Sequence, residues 1–124
     1  MLQQISDAEL EIMKIIWAGD GPAYFAFIME ELAEKGKTWQ KNTVITLLSR
    51  LMDKGYLKAK KTGRRNAYRP LITEAEYQTS QTKSFVNKIY EGSVKGLVSN
   101  LIQNDLLTEA EYQELKALLE GETS

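Results

Sequence analysis

Apolar residues recur at helical spacing along most of the chain. Ser6-Asp7-Ala8-Glu9 has the S-x-x-E form of a capping box, in which the Ser hydroxyl accepts from the N3 amide and the Glu reaches back to the Ser amide. Ile5 and Leu10 fit a hydrophobic staple around it, and Leu10, Met13 and Trp17 form an i, i+3, i+7 stripe. Gly19-Asp20-Gly21-Pro22 ends this first helix. A second helix is predicted from about Tyr24 to Lys35, with Ile28 and Leu32 inward and Gly36 closing it. A third runs from about Gln40 to Lys54 and stops at Gly55, with Val44, Leu47, Leu48 and Leu51 as its core face.

Tyr56 to Lys61 reads as a strand, Thr62-Gly63-Arg64-Arg65-Asn66 as a Gly-containing turn, and Ala67-Tyr68-Arg69-Pro70 as the returning strand. Everything after Pro70 reads as helix. Thr73-Glu74-Ala75-Glu76 and Thr108-Glu109-Ala110-Glu111 are two further capping boxes. Between them lie apolar faces at Phe85 and Ile89, then at Val94, Leu97, Val98, Leu101 and Ile102; Leu115, Leu118 and Leu119 follow on the last helix. The fold class expected is mainly α with a small β-hairpin wing. A winged helix-turn-helix domain over residues 1–72 would be followed by a helical dimerisation segment over 73–124.

The outer face of the third helix is unusual. It carries Asn42, Thr43, Ile45, Thr46, Ser49 and Arg50, with Lys41 at its start. Thr and Ser are poor helix formers, so an ordinary solvent face would favour Glu, Lys, Gln and Arg. Small side chains let a helix enter the major groove, and hydroxyl, amide and guanidinium groups read base edges there. The helix start adds backbone amides for phosphate. We take Lys41, Asn42, Thr43, Thr46, Ser49 and Arg50 as the base-reading set. The hairpin supplies Lys58, Lys60, Lys61, Arg64, Arg65 and Arg69 for phosphate, with Arg64 and Arg65 placed at the turn. Charged edge strands also prevent sheet aggregation, but one or two lysines would do that.

Charge sharpens this reading. The chain of 124 residues has a net charge of -1, which taken whole argues against nucleic acid. The number is a cancellation: residues 1–72 sum to +4 and the remainder to −5. Between Lys37 and Arg69, ten basic residues face one acid, Asp53. The Leu, Ile and Val faces of the helical part must bury against the N-terminal domain or a second copy, and its acidic charge suits a DNA surface poorly, which favours the second copy. A second copy would place two reading domains on a dyad.

Absent residues narrow the chemistry. With no Cys and no His, disulfides, thiol catalysis, imidazole catalysis and Cys/His metal sites are excluded, so no cofactor and no metal are expected. Glu74, Glu76, Glu109 and Glu111 lie in capping boxes, where the helix dipole accounts for them, and no enzyme is expected. No apolar run is long enough to span a bilayer and the N-terminus has no signal-peptide pattern, so a cytoplasmic location is expected.

The chain resembles the penicillinase and methicillin-resistance repressors of the BlaI/MecI type, related to the CopY copper-responsive repressors. The anchors are Ile5 to Glu9 with Met13 and Ile15-Ile16-Trp17; Trp39 with Asn42-Thr43-Val44 and Thr46-Leu47; Arg50-Leu51 with Lys54-Gly55-Tyr56; Phe85 to Lys88 with Tyr90 and Gly92; and Leu97-Val98 with Asn100. The resemblance implies a homodimeric repressor of a resistance or stress operon. Its implied partners are a double-stranded operator with TACA/TGTA-type dyad ends and, in the beta-lactam-responsive branch, a membrane sensor-protease system. Asn42, Thr43, Thr46 and Arg50 fall where that family contacts DNA, although Asn42 replaces a Lys and Ile45 an Arg of some members. The family's inactivating cleavage maps to Asn100–Leu101, with Leu in place of the usual Phe. The chain lacks the Cys cluster of the copper branch. Apart from the resemblance, one other reading stands: a winged-helix interaction module whose basic patch meets an acidic protein.

Overall fold

The computed structural model describes residues 2–121. In order, the elements are α1 (Asp7–Ala18), β1 (Ala23–Tyr24), α2 (Phe25–Glu34), α3 (Lys41–Asp53), β2 (Leu57–Thr62), β3 (Arg65–Pro70), α4 (Glu74–Ile89), α5 (Val94–Gln103) and α6 (Glu109–Leu119). The chain forms two compact units, Met1–Ser80 and Gln81–Ser124, so the division falls within α4.

The first unit has one core. Ile12, Met13 and Ile16 from α1, Ile28 and Leu32 from α2, and Val44, Leu48 and Leu51 from α3 are almost wholly enclosed with Tyr56. The four apolar positions expected on α3 are all buried. On α1 the deepest stripe is Glu9, Ile12, Met13 and Ile16, whereas Leu10 and Trp17 are only half-buried. The expected stripe through Leu10, Met13 and Trp17 is therefore turned toward one flank. This helix is apolar on much of its circumference, and several stripes fit its spacing.

Aromatic residues close the lower edge of the core. The Trp17 indole N–H donates to the Ile72 carbonyl at 2.8 Å, and the Tyr56 hydroxyl donates to the Gln3 carbonyl at 2.6 Å. Tyr77, in the first turns of α4, packs against Trp17 at 5.5 Å and against Tyr56 at 6.0 Å between ring centres. These contacts place the start of α4 in the first unit.

The sheet has three strands in the order β1-β3-β2, all antiparallel. The sequence predicts only the two strands of the hairpin. β1 pairs Ala23 with Tyr68 and Tyr24 with Ala67, and α2 begins one residue later than expected, at Phe25. A strand of two residues has no period to read, and Tyr24 next to Phe25 and Phe27 merges with the helical pattern. Between β2 and β3, Gly63 has φ +65 at the first position of a two-residue loop, as a type II′ turn requires. Arg65 is then the first residue of β3, not part of the turn.

The second unit contains the rest of α4, α5 and α6. Both later capping boxes form: Thr73 with Glu76 opens α4, and Thr108 with Glu111 opens α6. Ser93 caps α5, its hydroxyl accepting from the Gly96 amide at 2.9 Å. Phe85 and Tyr90 pack at 5.8 Å between ring centres. Among the described residues of this unit only Val86 is buried.

Candidate nucleic-acid interface

Helix α3 separates two chemistries. Its inner face is buried through Val44, Leu47, Leu48 and Leu51; Lys41, Asn42, Thr43, Thr46, Ser49 and Arg50 are all exposed. Ile45 stands among them, 48% exposed, an apolar side chain on a polar face. The only acid of the helix is Asp53, its last residue. The Thr46 hydroxyl donates to the Asn42 carbonyl at 3.0 Å.

The start of α3 differs from those of α1, α5 and α6. Gln40 makes no side-chain cap bond, whereas Ser6, Ser93 and Thr108 each cap their helix. Among the described residues no side chain accepts from the first amides of α3, which lie beside Lys41. That end of the helix carries partial positive charge and presents N–H donors of the kind that phosphate oxygen accepts from.

The register of the hairpin sorts its cations. Lys58 lies opposite Arg69, Lys60 opposite Ala67, and Thr62 opposite Arg65. Because side chains alternate, these residues share the outer face of the sheet, while Leu57, Ala59 and Tyr68 turn toward the core. Pro22, Tyr24, Lys58, Lys60, Thr62, Ala67 and Arg69 line a shallow cavity of ≈ 320 Å³ on that face. Lys61 lies on the opposite face, across from Asn66, and is exposed; Arg64 occupies the turn. Among the described residues none of these cations has an acidic partner. A directly opposed like-charged pair such as Lys58 and Arg69 is destabilising by itself.

Two side chains have roles beyond the sequence reading. The Arg65 guanidinium lies 3.8 Å from the centre of the Tyr24 ring. Glu9 does more than cap α1. Its Oε1 accepts from the Ser6 amide and from Lys54 Nζ, both at 3.0 Å, and the residue is 2% exposed. Burial works to raise its pKa, but the Ser6 amide and the Lys54 ammonium outweigh that and hold the carboxyl below the usual range. Lys54, counted in the basic run, therefore serves the interior. Nothing in S-x-x-E signals a second partner 45 residues away.

In the second unit, Ile89, Val94, Ile102, Leu115, Leu118 and Leu119 are each more than half exposed, with Phe85 and Val98 somewhat less so and Leu97 and Leu101 partly covered. Asn100 is exposed inside α5, and its carbonyl accepts from the Asn104 side-chain amide at 2.9 Å. The Asn100–Leu101 bond is therefore helical. Among the described residues no helix is long and apolar enough to cross a membrane, and no cluster of acidic side chains could hold a metal ion.

Comparison with known proteins agrees with this arrangement. The chain resembles the solution structure of the DNA-binding domain of the repressor BlaI, with a TM-score of 0.53 and 43% identity over 62% of this chain and 94% of that one. It matches equally well the Bacillus licheniformis BlaI monomeric form solved in complex with the blaP half-operator, of which 92% is covered. Over 119 residues, 96% of this chain and 91% of the relative, the sequence is 40% identical to the penicillinase repressor of Bacillus licheniformis. It is 35% identical to the methicillin resistance regulatory protein MecI of Staphylococcus aureus strain N315 over 94% of this chain and 93% of that protein. The profile of the penicillinase repressor family matches residues 5–121, from the first capping box to the end of the last helix, and the chain belongs to that family.

Proposed function

We propose that this protein represses transcription by holding a dyad operator as a homodimer. The observation that carries the reading is the outer face of α3: six exposed small, polar or basic side chains above a fully buried apolar face, with amides at the helix start that no described side chain caps. Such a face fits the major groove, where Asn42, Thr43, Thr46, Ser49 and Arg50 meet base edges and Lys41 meets phosphate. The exposed Ile45 offers methyl groups to thymine. Lys58, Lys60, Lys61, Arg64, Arg65 and Arg69 contact the backbone and set affinity, not sequence. The solved complex of BlaI with the blaP half-operator supports DNA as the partner. Regulation of transcription, not catalysis, follows from the family.

The operator expected has TACA/TGTA-type dyad ends, and the regulated genes are those of a resistance operon. Residues 73–124 join two copies through Phe85, Ile89, Val94, Leu97, Val98, Leu101, Ile102, Leu115, Leu118 and Leu119. Two linked half-sites raise affinity by roughly 10²–10⁴ without a new contact. Cleavage at Asn100–Leu101 by a membrane sensor-protease system removes that gain and releases the operator. A cytoplasmic location goes with this role.

A gel-shift titration of the full chain against a TACA/TGTA dyad and a random duplex of equal length tests the reading. Preference for the dyad, weakening steeply with salt, is expected. Binding to neither duplex at moderate salt would favour an acidic protein as the partner of the basic surface.

A further inference from the structure

We propose that Tyr24 is a positioning residue for DNA binding: its ring holds the Arg65 guanidinium on the outer face of the sheet, ready for a backbone phosphate. The inference rests on the DNA-binding reading above and adds a residue that neither the α3 face nor the run of basic residues includes.

The geometry has three parts. First, β1 exists only as the two residues Ala23 and Tyr24, and its pairing sets Tyr24 opposite Ala67. Arg65 lies two residues before Ala67 on β3, on the same face, which is the diagonal distance that an aromatic ring and a long side chain can span. Second, the guanidinium carbon is 3.8 Å from the ring centre, so the planar group lies over the ring and not at its edge. Stacking occupies the flat face of a guanidinium and leaves its in-plane N–H groups free, and those are the donors that take phosphate oxygen. Third, among the described residues no carboxylate pairs with Arg65, so its charge is uncompensated.

The neighbouring arginine gives an internal contrast. Arg64 sits in the turn and, among the described residues, has no ring beneath it, whereas Arg65 lies over Tyr24. An arginine that grips a phosphate loses rotamer freedom, and Arg65 has already lost part of it in the free protein. At equal charge, Arg65 therefore contributes more to binding than Arg64.

The test uses the full chain and a random-sequence duplex followed by fluorescence anisotropy over a range of salt, since phosphate contacts need no operator. Tyr24→Leu should weaken binding about two- to fivefold. Tyr24→Phe, which keeps the ring, should bind like the wild type. Arg65→Ala should flatten the salt dependence by about 0.9, and adding Tyr24→Leu to it should cost nothing further. In the Arg64→Ala background the Tyr24→Leu loss should persist in full. Wild-type affinity in Tyr24→Leu, or an undiminished loss in the Arg65→Ala background, overturns the proposal. Should Tyr24→Leu not fold, proton NMR of the wild type decides. Arg65 side-chain protons shifted upfield by the ring, and still shifted with duplex bound, are the expected result; release of that shift on binding overturns it. A wild-type protein that binds no duplex removes the DNA-binding reading itself, an outcome distinct from the others.

Discussion

The unit that ends at Ser80 and the unit that begins at Gln81 are made from the same kind of amphipathic helix, and they treat its apolar side in opposite ways. In the first, α1, α2 and α3 converge with a small sheet, and every apolar stripe meets another. In the second, α5 has apolar residues at Val94, Leu97, Val98 and Leu101 and a sound N-cap, yet none of its residues is buried. The local signals are equally good in both. What differs is whether other elements of the same unit cover the stripe. An amphipathic pattern fixes which side of a helix will leave water and says nothing about which molecule supplies the cover.

Substitution can break the contrast. Leu48→Ala removes a side chain with 0% exposure from the first unit and should cost about 2–5 kcal/mol, read as a lower urea midpoint at every protein concentration. A cost below 1 kcal/mol would mean that the core is looser than its burial indicates.

Lys54→Ala should cost about 1.5–3 kcal/mol, because it leaves the Glu9 carboxylate without its charged donor. The pH dependence identifies the cause. The folded protein lowers the Glu9 pKa, so the group stabilises the fold above the unfolded carboxylate value of about 4.3, and the gain disappears as pH falls through the lower folded value. Glu76 and Glu111, also lowered, by the Thr73 and Thr108 amides, act the same way in both proteins. The loss of stability between pH 5 and acid, measured by denaturant titration, should therefore be smaller in Lys54→Ala than in the wild type. Equal acid-side losses would assign the pH dependence elsewhere.

Thr46→Ala should shift the preference between operators by about 1 kcal/mol and leave random-duplex affinity unchanged; a competition titration would expose an equal loss on both. The smallest effect concerns the second unit. Leu118→Ala, at 63% exposure, should move the unfolding midpoint of dilute protein by no more than about 0.5 kcal/mol. At higher concentration it should lower the dimer fraction in sedimentation, since only an association makes stability depend on concentration. A midpoint shift comparable to that of Leu48→Ala in dilute protein would put Leu118 inside a core of its own chain.

The sequence makes α3 legible because its two faces differ sharply, Val44, Leu47, Leu48 and Leu51 against Thr, Ser and Asn. The capping boxes at Ser6, Thr73 and Thr108 are legible because their bonds are local. Three features escape for physical reasons. β1 carries two residues and hence no period, and its existence depends on Ala67 and Tyr68 coming alongside. Glu9 is already explained by its cap, so its burial and its bond to Lys54 leave no trace in spacing. The returning strand begins at Arg65, two residues before the Ala67 that the sequence predicts, and there Arg65 meets the Tyr24 ring. Each involves a contact between distant segments, which composition and periodicity do not encode.

The Glu9–Lys54 pair has a consequence for how α3 addresses a duplex. Lys54 is the C-cap of α3 and Glu9 lies in the first turn of α1. A slide of α3 along its axis by one helical turn, about 5.4 Å, would strip a buried carboxylate of its counter-charge, so the pair acts as an axial stop. Successive base pairs are only about 3.4 Å apart. In the proposed reading of bases by α3, its alignment is thus indexed from the far end, by a buried carboxylate and a partly buried ammonium.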